Sequence, residues 1–160
     1  MTKAIFTLLI SVYSLTLYAQ REYRTEKYAG QYCYGDTFHS GCADIYPESD
    51  SSILFYLSYY AGPPYYSLGE LYDRVVVNGD SGLYSSFKQG DIYGCKFVIT
   101  FLKDLLTINT MDDKYDCPGF GAHIMADESF KRIHSKQLYF INLEQDTVYF
   151  TIPPEKWRVH

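Results

Sequence analysis

The stretch that decides the fold is Phe97-Val98-Ile99-Thr100-Phe101-Leu102-Lys103-Asp104-Leu105-Leu106-Thr107-Ile108-Asn109-Thr110. Folded about a two-residue turn at Lys103-Asp104, it sets Phe101 opposite Leu106, Ile99 opposite Ile108 and Phe97 opposite Thr110. Because side chains alternate faces along a strand, these pairs share one side of a hairpin. The same register carries Cys95 opposite Asp112, so Cys117 needs only a short loop to return to it.

A second hairpin reads outward from the first two cysteines. If residues 35–40 form its loop, Tyr34 faces Gly41 and Cys33 faces Cys42, within disulfide reach across antiparallel strands. The expected pairing is therefore Cys33 with Cys42 and Cys95 with Cys117. Zinc is the competing use of four cysteines, but the chain has no C-x-x-C pair and no H-x-x-x-H spacing.

Period-two alternation recurs elsewhere. Val148, Phe150 and Ile152 share one face of residues 147–152, and a loop at Glu144-Gln145-Asp146 would set Phe140 opposite Phe150 and Leu138 opposite Ile152. Residues 53–60 carry Ile53, Phe55, Leu57 and Tyr59 on one face. The other face, Leu54, Tyr56, Ser58 and Tyr60, is also partly apolar, which places this strand mid-sheet or under a loop. Further strands are expected over residues 28–34, 41–46, 71–77, 83–87, 122–126 and 130–134, separated by turn residues such as Asn78-Gly79 and Asp127-Glu128-Ser129. No helical apolar stripe exceeds about two turns. The expected fold is all-β: one antiparallel up-and-down meander of roughly eight to ten short strands, with a barrel favoured over a sandwich.

The first residues read as an address. Lys3 precedes the apolar runs of residues 4–10 and 12–17, and the segment closes on Leu17-Tyr18-Ala19 before Gln20-Arg21-Glu22. A cationic start, a short apolar core and small or apolar closing residues describe a secretory signal peptide cleaved after Ala19. Residues 20–27 then form a polar lead-in, 28–155 a single β domain and 156–160 a tail. Removing residues 1–19 from the 160 leaves 141, and losing Lys3 takes the formal charge from −5 to −6. That balance speaks against nucleic acid or anionic lipid as partners and admits a basic protein. Export to the periplasm or beyond also accounts for an even count of oxidised cysteines.

No constellation names a reaction. Gly79-Asp80-Ser81-Gly82 matches four residues around the nucleophile of trypsin-like serine proteases, but after Val75-Val76-Val77-Asn78 it reads as a hairpin turn. Asp112, Asp113 and Asp116 lack the D-x-D-x-D-G spacing of a calcium loop. Asp127 and Glu128 sit at an expected turn, a strand run through them would send their side chains to opposite faces, and His39, His123, His134 and His160 are scattered. The expectation is a non-catalytic domain without cofactor or metal. The strongest contact surface is the aromatic loop Tyr59-Tyr60-Ala61-Gly62-Pro63-Pro64-Tyr65-Tyr66, because tyrosine offers large amphipathic area at low entropy cost. The same tyrosines could instead cap a barrel end.

The run Ser81-Gly82-Leu83-Tyr84-Ser85-Ser86-Phe87-Lys88-Gln89-Gly90, together with size, leader, acidity and disulfides, resembles small exported bacterial β-barrel domains of the calycin-like and lysozyme-inhibitor kinds. In one inhibitor family an S-G-x-x-Y loop, then an aromatic and a K-G, lies at the enzyme-binding edge. Here Tyr84 comes one residue early and Gln89 splits Lys88 from Gly90. The resemblance implies a partner-binding role for Ser81 and Tyr84, and its sharpest form is inhibition of a basic lysozyme. A lipocalin-like carrier enclosing a small apolar ligand is the alternative. The segments Gly94-Cys95-Lys96-Phe97 and Asp116-Cys117-Pro118-Gly119-Phe120-Gly121 also look like uncharacterised secreted domains of Bacteroidetes-type bacteria, which implies no activity.

Overall fold

The computed structural model describes residues 23–87, 94–111, 117, 119–121 and 124–157. The leader with its cleavage point after Ala19, Asp112, Asp113, Asp116, His123, His160 and the Lys88-Gln89-Gly90 run lie outside the described residues.

Eight antiparallel strands close into an up-and-down barrel: β1 (Gly30–Gly35), β2 (His39–Pro47), β3 (Ser52–Ala61), β4 (Ser67–Asn78), β5 (Ser81–Ser85), β6 (Lys96–Leu102), β7 (Leu105–Thr110) and β8 (Glu128–His134), with β8 returning to β1. A separate hairpin follows, β9 (Tyr139–Ile141) and β10 (Thr147–Tyr149). The β6–β7 register is the expected one, with Phe97 opposite Thr110, Ile99 opposite Ile108 and Phe101 opposite Leu106. Cys33 faces Cys42, and both disulfides, Cys33–Cys42 and Cys95–Cys117, are formed. The Gly79-Asp80 turn joins β4 to β5 with Gly79 at φ 63°, a conformation that hairpin turns assign to glycine. The turn is thus the two residues Gly79-Asp80 alone, and Ser81 and Gly82, expected within it, already pair with Asn78 and Val77 as the start of β5.

The inward positions fill the barrel. Tyr32, Ile45, Phe55, Leu57, Phe97, Ile99, Leu106, Ile108 and Phe130 are fully or almost fully buried in one cluster along its axis. An eight-stranded barrel is just wide enough for side chains to fill it or for one small ligand to occupy it. One end is plugged by Tyr28, whose ring stacks on Phe101 at 4.2 Å and whose hydroxyl lies 2.6 Å from the Gly79 carbonyl oxygen. This plug explains the first departure from expectation. Tyr28 closes a 3-10 turn, Arg24–Tyr28, and the strand begins at Gly30.

Two further departures follow from tertiary contacts. Residues 124–126 form no strand; the Ala126 carbonyl accepts the Tyr59 hydroxyl at 3.0 Å instead of a ladder bond, and β8 begins already at Glu128. In the C-terminal hairpin Phe140 pairs with Val148, two residues short of Phe150. Asn142 Oδ1 accepts the Asp146 backbone N–H at 2.7 Å, so the turn closes on that pair. A two-residue slip preserves the face, and Phe140, Val148 and Phe150 still point together.

That face docks on the outer wall of the barrel. Leu54, Tyr56, Tyr72, Phe140, Val148 and Phe150 form a second cluster, joined by Tyr46 and Trp157. The apolar outer face of β3 is therefore covered by the hairpin. Asp44 lies on the same wall, paired across the sheet with Gln31 and Tyr56, and is 3 % exposed. Burial pushes its carboxyl up to about 7, a side-chain hydrogen bond with Gln31 opposes this, and Oδ1 has no partner among the described residues. Raised above its unfolded value, this acid stabilises the fold fully below pH ~4 and loses that contribution as pH rises through about 7. Asp44→Asn should therefore flatten this part of the stability profile and raise the melting temperature at pH 8. Denaturant melts of both proteins from pH 4 to 8 test it, and parallel profiles would refute it.

Candidate functional site

An up-and-down meander sends alternate turns to opposite ends, and here they differ in character. At the end opposite the Tyr28 plug lie the β1–β2 turn with Phe38, the β3–β4 loop with Tyr65 and Tyr66, and the segment leading into β8. Phe38, Tyr60, Tyr65, Tyr66, Leu68 and Met125 all expose large apolar surface there. Contiguous exposed apolar surface on one rim marks an interaction site more often than scattered single residues do.

The rim is held by its own backbone. Tyr66 sits at φ 48° and its N–H, like that of Tyr65, donates to the Gly62 carbonyl oxygen, at 3.0 and 3.1 Å. A bulky residue in the left-handed region costs about 1–3 kcal/mol, and such strain concentrates at binding sites. Gly62 N in turn donates to the Phe38 carbonyl at 2.6 Å, tying the two aromatic turns together.

Behind the rim is a cavity of about 210 Å³ lined by Tyr34, His39, Tyr59, Tyr60, Asp127 and Glu128, with Ile124 and Met125 at its apolar edge. Tyr34 fits because its β2 neighbour is Gly41, where a Cβ would stand 2.7 Å from the tyrosine ring. Burial, then the nearby Glu128 and Asp36 carboxylates, push Tyr34 up to about 12, so it remains a neutral phenol. Asp36 is held below the usual carboxylate range by the His39 and Phe38 backbone N–H groups, each donating to Oδ1 at 2.7 Å. Asp127 is anchored by Thr110, whose backbone N–H donates to Oδ1 at 2.7 Å and whose hydroxyl donates to Oδ2.

The sequence-derived contact residues divide by strand parity. Tyr60, Tyr65 and Tyr66 are exposed, Tyr66 to 67 %. Tyr59 faces the interior at 2 % exposure, with its ring against Phe120 and Phe130. Burial drives its phenol well above the ordinary value. Tyr84 is likewise buried and donates to Asp73 at 2.9 Å. Ser81 is exposed, but it stands at the β4–β5 turn beside the plugged end, so the barrel's length separates it from the tyrosine rim. The two contact surfaces expected from the sequence are not brought together.

Sequence reasoning missed Phe38, Leu68, Met125 and Tyr34. An apolar residue at the tip of a polar turn was the available signal for Phe38. Asp127 and Glu128, set apart by strand parity, nonetheless line one cavity, because Asp127 precedes β8 and Glu128 begins it. Chemically the site offers a neutral phenol and carboxylates behind aromatic surface. Among the described residues no hydrogen bond joins His39 to either carboxylate, and no group of three or more His, Cys, Asp or Glu is placed to hold a metal. No helix among the described residues is long and apolar enough to cross a membrane. Comparison with protein-family models, with curated proteins and with solved structures finds no match to the chain.

Proposed function

We propose that the chain is an exported, non-catalytic binding domain that grips a protein partner with its aromatic rim. The observation that carries this reading is the concentration of Phe38, Tyr60, Tyr65, Tyr66 and Leu68, all exposed, at one end of a barrel whose interior is filled. Aromatic anchors that lose their solvent on association supply most of the energy of protein interfaces. Carboxylates at Asp36, Asp127 and Glu128 and a net charge of −5 suit a basic partner, and inhibition of a basic lysozyme is the sharpest form of the reading. The packed axis favours the rim over a carrier role, because cargo would have to displace Phe55, Phe97 and Phe130. The two disulfides suit an oxidising compartment, as the leader does.

Pull-down and turnover inhibition with a panel of basic lysozymes tests the sharp form. Binding should weaken at least a hundredfold when Tyr60, Tyr65 and Tyr66 are all replaced by alanine, on the scale of ~1–2 kcal/mol per buried anchor. The triple variant should fold, since these rings lie outside the core. Absence of binding at micromolar protein would remove the lysozyme form, and unchanged binding by the triple variant would remove the rim.

A further inference from the structure

A second concavity lies on another face, between β4 and the docked C-terminal hairpin. It is a cleft of about 560 Å³, within the ~300–1,000 Å³ of small-molecule sites. Its apolar wall consists of Val148, Ile152 and Trp157. Its polar lining is Glu70, Asn142, Glu144, Asp146 and Lys156.

The polar groups are both positioned and mixed in kind. Glu70 Oε2 accepts the Tyr56 hydroxyl at 2.9 Å and the Leu143 N–H at 3.2 Å, which fixes the carboxylate where strand and hairpin meet. Asn142 is only 9 % exposed. Its Oδ1 is occupied by the Asp146 N–H at 2.7 Å, so the group Asn142 can offer to the cleft it lines is its Nδ2 donor.

The lining discriminates among ligand chemistries. An ammonium or guanidinium group has donors only; it would match the carboxylates but leave the Asn142 amide unmet and face the Lys156 ammonium. A phosphate or carboxylate has acceptors only and would meet three acids. A sugar hydroxyl donates and accepts at once, so adjacent hydroxyls can give to Glu70, Glu144 or Asp146 and take from Asn142 or Lys156. The C–H face of a sugar ring also matches an apolar wall that contains an indole.

We propose that this cleft binds a neutral saccharide, with its hydroxyls bridging the Asn142 amide and the flanking carboxylates and its C–H face against Trp157, Val148 and Ile152. The site is independent of the rim and of any protein partner bound there.

Trp157 is the chain's single tryptophan, so its emission reports directly from the cleft. The full chain is titrated with neutral di- and trisaccharides built from glucose, galactose, mannose or N-acetylglucosamine, and with trilysine and inorganic phosphate as charged comparators. A saturable change in emission is expected with at least one neutral saccharide and with neither comparator. Asn142→Asp keeps the oxygen that closes the turn and removes the donating amide, so binding should weaken at least about tenfold. Lys156→Met, at an exposed position, should weaken it severalfold without changing the melting temperature. A response to trilysine or phosphate with none to any saccharide overturns the proposal, as does silence across the whole panel or full binding by Asn142→Asp.

Discussion

Phe140→Ala should release the C-terminal hairpin from the barrel while the barrel itself stays folded. Phe140 is fully buried, stacked on Tyr56 at a centroid distance of 3.9 Å and packed against Tyr72, Phe150 and Trp157 at 4.9, 5.3 and 5.8 Å. Truncating such a ring costs about 3–5 kcal/mol. Phe140 is the most buried ring of the face by which the hairpin docks, and a lone two-stranded sheet is marginal in water and depends on such a face. The loss should therefore appear as local opening. Amide exchange should show β9 and β10 deprotected with β2, β3 and β6 still protected, and Trp157 emission should shift to the red. Phe97→Ala, at the barrel axis, should by contrast lower the stability of every strand together. If Phe140→Ala deprotects the barrel and the hairpin to the same extent, the two clusters are one cooperative unit and the prediction fails.

Removing the Cys95–Cys117 bridge should have the second large effect. Both cysteines are buried, and the bridge spans 22 residues of chain. Loop-closure entropy for that span gives about 3 kcal/mol, which corresponds to roughly 10 °C in melting temperature for a domain of this size. The bridge also pins the segment that lies over the mouth, where Phe120 packs on Tyr59 at 4.9 Å and Gly121 N donates to the Leu68 carbonyl at 2.8 Å. A Cys95→Ala/Cys117→Ala double variant should melt lower and also lose protection at Tyr59. Cys33 and Cys42 are cross-strand partners only nine residues apart, so their double alanine variant should lose less. Thermal melts with and without reductant decide the matter. A melting temperature insensitive to reductant, or a larger loss for the Cys33–Cys42 variant, would contradict this account.

Local pattern carried most of the architecture. The β6–β7 hairpin was readable because a two-residue turn leaves one register, and parity then assigns Phe97, Ile99 and Phe101 to the interior. Cys33–Cys42 was readable because a loop centred between the two cysteines sets them opposite, and this holds although β1 and β2 extend to Gly35 and from His39 into the residues expected to form that loop. The C-terminal hairpin was readable in its face but not its register, since moving the turn from Glu144-Gln145-Asp146 to one closed by Asn142 and Asp146 costs nothing in hydrophobic pattern. The apolar outer face of β3 signalled that something covers it, yet nothing in residues 53–60 could say that the cover comes from residues 140, 148, 150 and 157.

The candidate sites were less legible because each depends on which face of a strand meets which neighbour. Tyr59 and Tyr60 are adjacent letters of one aromatic run, and strand parity makes the first a core ring and the second a surface ring. Glu70 and Asn142 stand far apart in the chain, and only the docking of the hairpin on β4 brings them to one cleft. By itself, then, the sequence determined the all-β class, the inward faces of β3, β6 and β7 and the partner of each cysteine, because turn length and period-two alternation act between neighbouring residues. The tertiary structure alone decided which end of the barrel gathers the exposed aromatics, that Tyr28 plugs the other, and that a cleft opens beside Trp157. Those outcomes rest on closure of β8 onto β1 and on burial between segments far apart in sequence, for which no local pattern carries information.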